Sequence, residues 1–172
     1  RWCTEWDTRH TYIFLTKYPE NLVEFSPFPD NCWVGVSVPR IWDDSVEGHF
    51  EAFQRISQLG DIKAKVKFIS FEPLHADIAS SFDFGLNNTL RAYDINWIII
   101  GQQTPVKKST MPRIEWIKEI VEAADMVGIP VFLKDNLKPL LLPNIEEYPS
   151  LFKEERQYSW GNWGLRQEFP NA

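Results

Sequence analysis

Cysteine is scarce. The 172-residue chain has two, Cys3 and Cys32, with no C-x-x-C spacing around either. Neither a disulfide framework nor a structural zinc site is indicated, and a reducing compartment fits best. Histidine is nearly as rare: His10, His49 and His75 lie near no partner at ligand spacing, so none is assigned a metal role. No apolar run approaches the roughly 20 residues that span a bilayer, and no signal-peptide pattern opens the chain. A basic excess is missing too. Lys plus Arg number 18 against 24 Asp plus Glu, a formal charge of −6, so the chain as a whole is not built to wrap nucleic acid or lie on an anionic membrane. There is no G-x-G-x-x-G, no Walker loop and no G-x-S-x-G, which removes the signatures of the common nucleotide-binding and serine-hydrolase classes. These absences point to a cytoplasmic protein. An initiating Met is also missing: the chain opens Arg1-Trp2-Cys3 and soon reaches a strand-like run, which reads as a fragment or processed product of something longer.

What is present is apolar and periodic. Hydrophobic residues make up 44% of the chain, enough for one sizeable core, and a single domain over 1–172 is expected. Eight Trp and twelve Phe supply large packing surfaces, most of them expected in that core. Short β-rich runs recur: Tyr12 to Thr16, Cys32 to Val38, Val66 to Phe71, Ile95 to Gly101 and Pro130 to Leu133. Their continuous apolar character predicts strands buried on both faces. Gly35, inside the second run, predicts a bulge or a close backbone approach.

Between runs two and three, Val46, Phe50, Phe53, Ile56 and Leu59 recur at spacings of three and four, predicting an amphipathic helix over 43–59 that Gly60 ends. A second helix is predicted from Pro112, with Ile114, Ile117, Val121 and Ala124 on its inward face and Gly128 as its stop. Residues 75–94 read as a loop with a short helix, and the tail from about 143 to 172 as irregular. Strands alternating with helices predict an α/β fold with a parallel sheet and crossover helices. Five strands are too few for a complete eight-fold barrel of about 250 residues. The expectation is a partial TIM-type (β/α) barrel, with an open doubly wound sheet as the alternative.

In either architecture ligands meet the carboxyl ends of the strands. That rule selects Lys17 after the first strand, Ser37 near the end of the second, Glu72 after the third, Gln102 and Gln103 after the fourth, and Lys134, Asp135 and Asn136 after the fifth. Glu72 is a candidate general base or ligand for a cation, or else the partner of Lys17 or Lys134 in an ion pair. Lys17 and Lys134 suit a phosphate or carboxylate, or a Schiff base if burial depresses their pKa. Gln102 and Gln103 suit ligand reading or the tying of their own loop. Trp160-Gly161-Asn162-Trp163 offers aromatics for base stacking or for docking the tail.

The runs YIFLTKYPENL, NCWVGVSVPR, VKFISFEPLHADI, INWIIIGQQTP and IPVFLKDNL, in that order, resemble an uncharacterised family of phage and prophage proteins with an N-terminal three-cysteine motif. That family is similar to radical S-adenosylmethionine enzymes, whose partial or full barrels hold an iron–sulfur cluster. The resemblance spans about Thr11 to Leu137, with an echo at Leu165 to Pro170, and implies the C-terminal portion of such a barrel in a bacterial or phage-infected cell. Lys17, Glu72, Gln102 and Lys134 match its motif positions. Cys3 and Cys32 do not match the three-cysteine motif, so a cluster and S-adenosylmethionine are implied only if such a segment lies upstream. Many relatives carry a Gly-Gly-Glu-Ser-Gly-like loop where this chain reads Gly101-Gln102-Gln103-Thr104-Pro105, and the carboxylate that would bind a substrate amino group is absent.

Two functions follow as expectations: the substrate- and cofactor-facing part of a radical S-adenosylmethionine-like enzyme with Glu72, Lys17 and Lys134 as catalytic residues, or a non-catalytic binding module for a protein or nucleic-acid partner. The partner is otherwise an unspecified small molecule or macromolecule. Self-association through exposed barrel edges is a further expectation.

Overall fold

The computed structural model describes residues 9–38, 46–155 and 162–171. Its centre is a five-stranded sheet of β1 (Tyr12–Thr16), β2 (Cys32–Ser37), β3 (Val66–Phe71), β4 (Trp97–Ile100) and β5 (Val131–Leu133). All four pairings are parallel, and the spatial order is the chain order, with no reversal. The connections carry α1 (Val46–Gly60), α2 (Leu86–Ala92) and α3 (Ile114–Asp125). Among the described residues no pairing closes the sheet into a barrel.

The period-two alternation of side chains sorts the strands into two faces. Val34, Val36, Ile69, Phe71, Ile98, Ile100, Val131 and Leu133 point to one side and form the main core with Ile56 and Leu59 of α1, Leu90 of α2, and Ile117, Ile120 and Val121 of α3. The opposite face carries a second cluster built from strands alone: Trp33, Val66, Phe68 and Trp97, flanked by Ile99 and Phe132. Phe169 lies on it, with ring centroids 5.5 Å from Trp97 and 5.3 Å from Phe132.

Several expectations are corrected. β1 is not buried on both faces: it is the edge strand, and Ile13 and Leu15 are about half exposed. The first crossover carries a 3-10 turn over Pro19–Phe25. Pro19 opens it at the first turn, where a missing N–H costs nothing, and Pro27 follows just beyond its end. In α1 the inward stripe is Ala52, Ile56 and Leu59; Phe50 faces outward, 63% exposed, and Phe53 lies at the margin, 40% exposed with its ring against Phe82 and Tyr93. Residues 43–45 of that predicted helix lie outside the described residues. Gly128 takes φ +72, the left-handed turn that ends α3 and aims the chain into β5.

The tail has more order than its sequence pattern announces. After α4 (Lys138–Leu141) and two 3-10 turns, β6 (Phe152–Glu155) and β7 (Asn162–Leu165) form an antiparallel hairpin. Residues 166–168 then run antiparallel along the outer edge of β5: Leu133 N–H donates to Arg166 O at 2.7 Å and Glu168 N–H to Val131 O at 3.0 Å. This covers one of the two sheet edges expected to be exposed. Arg166, nearly buried, fixes the strap by donating to Asp125 at 2.8 and 2.9 Å and to Glu168 at 3.0 Å. Among the described residues no helix is long and apolar enough to cross a membrane.

Candidate functional site

The strand-only face is stacked in rows set by the register. Leu15, Gly35, Phe68 and Trp97 form an apolar row. One step toward the carboxyl ends come Ser37, Ser70, Ile99 and Phe132, with Lys17 one residue past the Thr16–Val36 pair. One step further, the pairing persists beyond the strand ends, since Gly101 N–H donates to Phe71 O at 3.1 Å and Lys134 N–H to Ile100 O at 2.9 Å. That last row is Glu72, Gly101, Lys134. Chemistry thus changes along the face from rings, through hydroxyls, to charge.

The top row is a closed ion pair. Lys134 Nζ lies 2.7 Å from Glu72 Oε1 and 2.8 Å from Oε2, and both side chains are part-exposed. Gly101 makes room for it: a Cβ there would stand 2.8 Å from Glu72 Oε1 and 3.0 Å from Lys134 Cδ. Of the two partners open to Glu72 on the sequence, the structure selects Lys134.

Gln102 and Asn136 form an amide clasp between the loops after β4 and β5. Gln102 N–H donates to Asn136 Oδ1 at 3.3 Å, Asn136 Nδ2 donates to Gln102 O at 2.7 Å, and Gln102 Nε2 donates to Asn136 O. Gln102 is almost fully buried, so its amide serves the loops rather than a ligand. Gln103 is half-buried beside it. Asp135 turns away to accept from Lys138 at 3.0 Å and Gln167 at 2.9 Å; these two partners hold its carboxyl below the usual range.

Two residues that strand-end reasoning passes over belong here. Arg55, on α1, donates to Lys17 O and, at 3.3 Å, to Ser37 O, with Glu51 fixing its guanidinium at 2.7 Å. It ties the carboxyl ends of β1 and β2 together; the Glu51/Arg55 spacing of four was its only sequence signal. Ser70 is missed because it lies inside an apolar run, yet it shares the parity of Glu72 and so the same face.

Among the described residues no group of three His, Cys, Asp or Glu could hold a metal ion. Cys32 is buried at the start of β2, the end of the sheet away from Glu72 and Lys134, and Cys3 lies outside the described residues. Trp160 and Gly161 of the candidate stacking segment lie outside them too, while Asn162 and Trp163 open β7.

With this geometry in hand, comparison with known families is decisive over most of the chain: one family model matches residues 3–138. The chain belongs to DUF5131, a family described as proteins of unknown function. The DUF5131 match takes in all five strands of the parallel sheet and ends just past Asn136, so the rows of the candidate site lie wholly inside it. No curated protein matches this DUF5131 chain.

Proposed function

We propose that this chain is a binding module, recognising a ligand or partner at the carboxyl ends of its parallel strands, rather than a catalyst in its own right. The observation that carries this is the state of the rim's reactive groups. Both oxygens of Glu72 are engaged by Lys134, and the amides of Gln102 and Asn136 are engaged with each other's loops. What the rim leaves open is suited to recognition: the hydroxyls of Ser37 and Ser70 and the ammonium of Lys17. Low cysteine use supports a reducing compartment such as the cytoplasm, and the resemblance to phage and prophage proteins supports a bacterial or phage-infected cell.

The test is a thermal-shift screen of small metabolites, peptides and short oligonucleotides against the wild-type chain and Lys17→Met. At least one ligand class should raise the wild-type Tm and leave the variant unmoved. Equal shifts in both proteins, or none in either, overturn the reading.

A second reading is favoured by the strand order. Five parallel strands in chain order, with the charged row on the face opposite the helices, is the arrangement of an arc of a (β/α) barrel. This supports the resemblance to radical S-adenosylmethionine enzymes. The described residues do not fit an iron–sulfur cluster, because no thiolate set gathers at the rim, so any cluster would have to be held by other residues. Anaerobic reconstitution of the natural full-length protein with iron and sulfide separates the readings. Cluster absorbance together with S-adenosylmethionine cleavage supports the enzyme, and neither signal supports the binding module.

A further inference from the structure

The rows leave one pair of polar groups unaccounted for. Ser37 and Ser70 are register partners on adjacent strands, and only 6% and 2% of their surfaces are exposed. Neither hydroxyl makes a hydrogen bond among the described residues, and neither oxygen is one of the fully enclosed unpartnered atoms, which are His75 Nε2 and Arg166 Nε, so both keep a narrow opening to solvent. Two nearly covered hydroxyls with no protein partner are available to an acceptor that enters from that side. The two stand side by side, separated by about the 4.8 Å spacing of paired strands, close enough for both O–H groups to converge on one acceptor.

Their surroundings specify the sign of that acceptor's charge. Lys17 follows β1 on the next strand over; its carbonyl is held by Arg55, while its ammonium makes no hydrogen bond or ion pair with a described residue. Glu72, two residues beyond Ser70, is neutralised by Lys134 and presents no open carboxylate to repel an anion or attract a cation. Below the hydroxyls the face turns apolar at Phe68 and Trp97, so a bound group has polar partners only at this level.

We propose that Ser37 and Ser70, with Lys17 beside them, form a seat for the oxyanion of a small ligand, a phosphate or carboxylate group, under the Glu72–Lys134 pair. This rests on the binding-module reading and names its ligand chemistry. The seat takes the charge as an isolated head group, since the net charge of −6 opposes a long polyanion.

The experiment is a titration of the full chain with inorganic phosphate, and separately with acetate, followed by amide chemical shifts. Saturable shifts are expected at Lys17, Ser37 and Ser70, with the tighter of the two probes identifying the phosphate or carboxylate source. Ser37→Ala/Ser70→Ala should weaken binding about tenfold, the loss of roughly 1.4 kcal/mol of hydrogen bonding. Lys17→Met should weaken it as well and flatten its dependence on ionic strength. Without added anion the double Ser→Ala variant should be about as stable as wild type, because neither hydroxyl bonds another part of the protein. Equal phosphate and acetate binding in wild type and the double variant, absence of saturable shifts, or a marked stability loss in the anion-free double variant each overturns the proposal. If phosphate and acetate fail while the thermal-shift screen still finds another ligand sensitive to Lys17→Met, the oxyanion seat falls and the binding module stands.

Discussion

Replacing Gly35 with alanine gives the sharpest test of the floor beneath the site. A Cβ at this position would stand 2.4 to 2.5 Å from three carbons of the Phe68 ring, where ordinary carbon contacts sit at about 3.5–4.0 Å. The ring must retreat by about an ångström, but it is fully buried, with Trp97 centred 5.5 Å away. Overpacking of this kind typically costs about 1–3 kcal/mol, and a clash with a whole ring belongs near the top of that range. Alanine recovers about 0.5–1 kcal/mol because glycine loses more backbone entropy in a strand. The net expectation is a destabilisation of about 2 kcal/mol, read in urea as a midpoint lowered by about 1 M with an unchanged slope. Phe68→Leu in the same chain should relieve the clash, so the two changes together should cost less than their sum by at least about 1 kcal/mol. An unmoved midpoint for Gly35→Ala, or strict additivity with Phe68→Leu, would refute the reasoning that Gly35 exists to admit the Phe68 ring.

Three other substitutions probe different parts of the molecule. Gly101→Ala crowds only the ends of two flexible side chains, so it should cost less than about 1 kcal/mol in a urea melt while displacing the Glu72–Lys134 pair, visible as a changed Lys134 ammonium signal by NMR. Arg166→Met removes the guanidinium that holds the strap to Asp125 and Glu168; about 2 kcal/mol should be lost, with faster hydrogen exchange at the Val131 and Leu133 amides. Burial pulls the Glu168 carboxyl up, but Lys153, the Val131 amide and Arg166 outweigh it and hold the group below the usual range. Its contribution is therefore complete above the unfolded carboxylate pKa of about 4.3 and is lost as pH falls through the lowered folded value, so strap protection measured by exchange should fade in acid. Lys67 is buried, with its ammonium pulled down by desolvation despite nearby Asp94 and Asp61. The charged form is penalised in the fold, so Lys67→Met should melt higher at neutral pH, and its advantage should shrink as pH rises toward the unfolded value near 10.4.

Much of the frame was legible because it rests on local pattern. Runs such as Ile95 to Gly101 and the stripe Ile114, Ile117, Val121 carry a single period, and the core uses them as written. The strand-end rule brought Glu72 and Lys134 together because parallel strands must deliver their carboxyl ends to one side. What escaped depends on contacts between distant parts of the chain. Whether Phe50 and Phe53 face in or out is decided by the rotation of α1 against the sheet, and both phases satisfy the same spacing. The β6/β7 hairpin has short strands, and its place is set by the strap that follows it. Gln102 and Asn136 carry the residue types of a ligand reader, and only the folded loops reveal that they read each other. Arg55 works from a helix, outside the rule that found its neighbours.

Residues 166–168 have a consequence for biosynthesis. A ribosome makes β5 more than thirty positions before the segment that covers its outer border, so during synthesis that border is a bare template of amides and carbonyls. The nascent domain is most vulnerable to mispairing with a neighbouring chain in that interval. Arrival of Arg166 ends the exposure, and the other border, at β1, is then the place where the described sheet can still accept another strand.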